Sequence, residues 1–247
     1  MTPPDSVLGR LLQELSWEGK NIARYRHGGA GYENVLTAEA FIGLDFLPRE
    51  AFLGAVLRRA TGADTARAKL AQEIEDAQIT VLPDEVKLRP SQGSYQDQLV
   101  VQPDALISSP NCFALVEAKR IRGGAFQAEQ LSREYVAVMR DAGGRTPLLL
   151  LLLGAPPPVV VKGLGRLSLE DAVLRGLGAV LATAEDHGLD EETLRAGLPG
   201  ALARITWQEI GEVVRQQQAS FRSSDPAVEG TVERLADSVV HAIERHA

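Results

Sequence analysis

The alternation of apolar and polar positions divides the chain into helical stripes at both ends and strand-like runs in its middle. Leu148–Leu153 is six consecutive leucines. It is far short of the ~20 residues that span a bilayer, and it predicts a strand buried on both faces. A second run, Cys112–Arg120, is apolar until Glu117-Ala118-Lys119. Side chains alternate along a strand, so Phe113, Leu115, Glu117 and Lys119 share one face. Cys112, Ala114, Val116 and Ala118 share the other. Charge inside a doubly covered strand is costly unless it is paired or metal-bound, so Glu117 and Lys119 need a reason to be there.

Asp5 or Ser6 caps an expected first helix through about Tyr25, with Val7, Leu11, Leu12 and Leu15 on one stripe. Its basic end, Lys20, Arg24, Arg26 and His27, either complements the helix dipole or meets phosphate. Gly28, Gly29 and Gly31 then form a hinge. A helix starts at Glu33 with Val35, Leu36, Phe41 and Leu44 toward the core, followed by helices over 48–59 and 66–78. Ile79–Leu82 and Val86–Leu88 read as a bent strand or hairpin about Pro83-Asp84. Leu99–Ile107 reads as a strand in which Pro103 cannot donate to a ladder, implying a bulge, bend or edge that re-aims Asp104. After the turn Ser109-Pro110-Asn111 comes Cys112–Arg120, then a helix over 125–140.

On that helix Ala128, Leu131, Tyr135 and Val138 form an apolar stripe. Gln127, Gln130 and Glu134 form a polar one, either a helix rim or a row leaning over the end of the preceding strand. Gly143-Gly144 ends the helix, and 147–153 returns as a parallel strand. Pro156-Pro157-Pro158 is a stiff connector. Helices over 167–184, 190–202 and 208–221 follow, with a short strand at Ile205-Thr206-Trp207. Asp225-Pro226 starts a last helix. Its stripe of Val228, Val232, Leu235, Val239 and Ile243 is either core-facing or the seam of a homodimer.

Composition narrows the function classes. The net charge of −7 argues against a general coating of nucleic acid, but leaves room for a local basic groove. One cysteine, Cys112, excludes an internal disulfide and fits a reducing cytoplasm. The first residues lack the pattern of a signal peptide, and no membrane partner is expected. The four histidines show no metal-ligand spacing, and neither a phosphate-binding Gly-rich loop nor a Gly-x-Ser-x-Gly elbow occurs.

Pro103-Asp104, twelve intervening residues and then Glu117-Ala118-Lys119 resemble the signature of the PD-(D/E)XK nuclease superfamily. The following helix, with Gln130-Leu131 and Tyr135, is similar to the glutamine-bearing helix of many members. The resemblance implies an α/β fold: a restriction-endonuclease-like mixed sheet flanked by helices, with additional N- and C-terminal helices. Its division would be 1–32 as helix and hinge, 33–153 as nuclease core, and 154–247 as a mainly helical part packed on the core. It further implies Mg²⁺ or Mn²⁺ held by Asp104, Glu117 and the Ala118 carbonyl, with Glu33, or as second choice Glu39, as a further acidic ligand. Lys119 and Gln130 complete the expected catalytic set. Arg120, Arg122, Gln127 and Arg133 are expected on the nucleic-acid backbone; otherwise the arginines are solvated surface charge.

The function implied is metal-dependent hydrolysis of phosphodiester bonds, with DNA the expected substrate. The setting would be a bacterial defence or repair system in which partner proteins supply targeting. The alternatives are a catalytically inactive scaffold or nucleic-acid-binding subunit of the same fold, and an α/β protein whose motif is accidental.

Overall fold

The computed structural model describes residues 32–89, 99–122, 124–184 and 188–247. The expected first helix, its basic end and the glycine hinge lie outside the described residues. Helices α1 (Tyr32–Phe46), α2 (Leu53–Arg59) and α3 (Asp64–Gln72) come first. Strands β1 (Gln78–Val81), β2 (Val86–Leu88), β3 (Leu99–Val101), β4 (Ala105–Ser108) and β5 (Cys112–Ala118) follow. Then come α4 (Ala128–Asp141), β6 (Thr146–Leu153), and the short strands β7 (Val159–Val161) and β8 (Gly165–Leu167). The chain ends with α5 (Leu169–Thr183), α6 (Glu191–Ala201), β9 (Leu202–Thr206), α7 (Trp207–Ser220) and α8 (Pro226–His246).

The central sheet has the order β1-β4-β5-β6-β9. β1, β4 and β5 are antiparallel neighbours, whereas β6 and β9 run parallel to β5. The fold is therefore α/β, a mixed sheet flanked by helices. Two apolar layers cover the sheet, and the leucine strand feeds both. Leu148, Leu150 and Leu152 pack with α1, α2, α7 and α8. Leu149, Leu151 and Leu153 pack with α4, α5 and α6. β5 divides in the same way, sending Cys112, Ala114, Val116 and Ala118 to the first layer and Leu115 to the second. Glu117 thus lies on the α4 side of the sheet, as strand alternation requires. β9 extends the sheet beyond β6, so a segment after residue 153 forms part of the central layer.

Several elements differ from the sequence reading. The helix expected from Ala66 ends at Gln72, because Gln78 is already paired with Ser108. Pro48 starts turns before α2, rather than a continuous helix. β1 and β2 do not pair with each other: β1 joins the central sheet and β2 pairs with β3 in a separate ribbon. The strand expected over 99–107 is split into β3 and β4 at Gln102–Asp104. Of the final stripe, Val232, Val239 and Ile243 are buried and Leu235 packs on them, while Val228 is exposed. That stripe faces the core. No described helix is long and apolar enough to cross a membrane.

Candidate active site

The β4–β5 ladder pairs Ala105 with Val116 through Ser108 with Phe113. Just before it the register slips. The Asp104 N–H donates to the Val116 carbonyl at 3.0 Å, although Val116 already faces Ala105. Two residues opposing one define a bulge. Pro103, which has no N–H, immediately precedes it. The bulge turns the Asp104 carboxylate onto the neighbouring strand, where Oδ2 accepts the Ala118 N–H at 2.7 Å. Asp104 is thereby held at both its backbone and its side chain, and is 8% exposed.

Glu117 is the last charged residue inside β5 and is 2% exposed. Its Oε1 accepts from the Lys119 ammonium and, at 3.0 Å, from Gln130 Nε2. Lys119 lies one residue beyond the strand. Its N–H donates to the Leu152 carbonyl at 2.8 Å, and its own carbonyl accepts from Trp207 Nε1 at 2.8 Å. The ammonium also lies 5.2 Å from the centre of the Phe126 ring, a cation–π contact. A cavity of ≈ 270 Å³ is lined by Asn34, Gln102, Asp104, Glu117, Lys119 and Gln130 among others. The bulge, β5 with the residue that follows it, and α4 thus bring four of the expected site residues to one cleft.

Behind the cleft stands Glu134, fully buried on α4. Its Oε1 accepts from Gln130 Nε2 at 2.8 Å. Burial first, and then the charge of Glu117, hold its carboxyl well above the usual carboxylate range. Its Oε2 has no hydrogen-bond donor, which an ionised carboxylate would need. The protonated acid satisfies this position, because its O–H becomes a donor toward Glu117. In the sequence Glu134 stands only as one member of a polar stripe. Glu134 lies on the face of α4 turned to Glu117 of β5, away from the Ser132 face that packs on α5, and no pattern within the helix reveals how deeply that face is buried.

The remaining expected residues are more dispersed. Glu33 falls in the first turn of α1, and its side chain lies outside the described residues. Asn34, one residue on, reaches the cleft instead, a position the sequence reading passed over. Glu39 lies away from it, with both oxygens accepting from Arg245 Nη2 at 2.9 and 2.8 Å and His246 nearby. Ala118 closes β5 between Glu117 and Lys119. Arg120 is half-buried and Arg122 exposed in the loop after β5. Gln127 is exposed at the N-cap of α4, and Arg133 is half-buried on that helix.

The donor set suits a hard divalent cation. Mg²⁺ and Mn²⁺ take oxygen ligands, and Mg²⁺ is commonly held by one or two carboxylates, with water and phosphate completing the shell. Asp104 and Glu117 can provide those two carboxylates. No cluster of three or more His, Cys, Asp or Glu side chains able to hold a metal occurs among the described residues. The cleft is therefore not a preformed cage of protein ligands, and a cation there would depend on solvent and substrate oxygens. Comparison with protein-family models, with curated proteins and with solved structures finds no match for this chain.

Proposed function

We propose that this protein is a metal-dependent nuclease with a restriction-endonuclease-like core, acting on phosphodiester bonds of DNA. The observation that carries the reading is the convergence of Asp104, Glu117, Lys119 and Gln130 on one cleft at the end of β5. The antiparallel β1-β4-β5 unit, the α4 crossover and the parallel β6 supply the framework the motif requires.

With Glu134 neutral, the two carboxylates outweigh Lys119, and the cleft attracts a cation and repels phosphate. Asp104 and Glu117 would hold the cation, with the Ala118 carbonyl as a further oxygen. When bound, Mg²⁺ or Mn²⁺ would neutralise phosphate charge and polarise a water. Lys119 supplies a fixed positive charge beside the reacting phosphate, where it stabilises the charge that builds on the oxygens. Gln130 bridges Glu117 and Glu134 through one amide nitrogen, which orients its side chain at the cleft wall. Its carbonyl oxygen can accept a hydrogen bond from the attacking water and align it.

The test is cleavage of single- and double-stranded DNA with Mg²⁺ or Mn²⁺, with and without a chelator. Cutting that stops on chelation and returns with excess cation is expected. Failure to cut either substrate under any of these conditions would contradict the proposal.

A further inference from the structure

We infer that the β7–β8 hairpin is a DNA-contacting wing beside the cleft, with Lys162 and Arg166 on the phosphate backbone of the strand bound at Lys119. The inference rests on the nuclease reading and names a surface that the motif does not include.

The hairpin is fastened to the loop that leaves the catalytic strand. Phe126 N–H donates to the Val160 carbonyl at 2.9 Å, and Lys162 N–H donates to the Phe126 carbonyl at 2.8 Å. The Phe126 ring in turn lies under the Lys119 ammonium. Lys119, Phe126 and β7 are therefore linked by direct contacts.

Strand register decides what the hairpin shows. Val159 and Val161 are buried, so Val160 and Lys162 point the other way. Val160 is paired with Arg166, which puts Arg166 on the same outward face. Arg166 Nη1 is steadied by the Pro158 carbonyl at 3.0 Å. Val160 is 40% exposed and Leu164, at the turn, 42% exposed. The outward face thus carries two cations and one apolar side chain, while Leu164 at the turn lies beside Leu167 and Asp171. That face suits the ribose and phosphate surface of a nucleic acid, on which cations position and apolar groups pack.

Charge distribution favours that occupant. Segments 118–128 and 154–169 carry Lys119, Arg120, Arg122, Lys162 and Arg166 and no carboxylate, in a chain whose net charge is −7. The backbone bonds through Phe126 join the two segments. Arg120, Arg122, Lys162 and Arg166 make these two joined segments locally basic, bounded by Glu129 and Glu170, as the composition left room for.

The test compares wild type with the double variant Lys162→Ala/Arg166→Ala in binding a fluorescein-labelled DNA duplex across a salt series, with chelator present to prevent cutting. Both side chains are exposed, so the variant is expected to keep the wild-type circular dichroism and unfolding temperature. Loss of two phosphate contacts should weaken affinity on the order of ten-fold and flatten the log–log salt slope by about 1.8. An unchanged affinity and slope in a protein that still cuts DNA would overturn the wing alone. Wild-type protein that neither binds nor cuts DNA would overturn the wing together with the nuclease reading.

Discussion

Glu134 is buried behind the cleft without lining it. Burial and Glu117 favour its neutral form, so folding takes up a proton that the unfolded chain releases above about pH 4.3. Stability from this residue is therefore full below that range and is lost as pH rises toward the raised native value. Glu134→Gln keeps an acceptor for Gln130 and removes the titration. In chelator, the variant should gain stability over wild type progressively as pH rises, with the difference shrinking under acid; chemical denaturation at several pH values measures this. A parallel pH dependence of the two proteins would show that Glu134 is ionised in the fold. Glu117 and Lys119 are legible together from strand alternation, and Asp104 joins them through the resemblance of Pro103-Asp104 and Glu117-Ala118-Lys119 to the nuclease signature. Asn34 is not, because α1 is brought to the cleft from far back in the sequence, and the depth at which Glu134 is buried beside Glu117 depends on how α4 sits on the sheet.

At the scale of elements, the site depends on how the segment after β5 is clamped. Gly154, just beyond β6, approaches it so closely that a Cβ would lie 2.3 Å from both the Arg120 and the Ile121 carbonyl oxygens. Gly154→Ala must push that backbone away, at a cost of about 1–3 kcal/mol. It should also reduce cleavage, because Lys119 belongs to the displaced segment; unfolding and cleavage assays on the same preparation check both effects. At the other end of β5, Glu73 clasps the β4–β5 turn by accepting from Ser109 Oγ at 2.6 Å and from Asn111 Nδ2 at 2.8 Å. These bonds, led by Ser109, lower the Glu73 carboxyl below its usual range. The stability they bring is present above the unfolded carboxylate range and is lost as pH falls through the lowered native value. Glu73→Gln should accordingly lower the unfolding temperature at neutral pH, by an amount that disappears in acid. The order of strands and helices around the leucine run could be read from periodicity, and Pro103 announced a break. The β7–β8 hairpin could not be read, because its strands are only three residues long and the first directly follows the proline connector. The pairing of β2 with β3 rather than β1 was equally hidden, since short apolar runs do not specify their partners.

In the whole molecule, two apolar layers enclose a sheet that is itself almost wholly hydrophobic, and the carboxylates gather where the bulge interrupts it. At the candidate site Asp104, Lys119 and Gln130 are each tied to a second element. The most direct measurement is Mg²⁺-dependent nicking of supercoiled plasmid by wild type and by Asp104→Asn. The asparagine retains the volume and an oxygen for the Ala118 amide, but loses the charge that would hold the cation. The account predicts nicking by wild type and a loss of roughly 10²-fold or more in a folded variant. Equal cation-dependent nicking by the two proteins would contradict it.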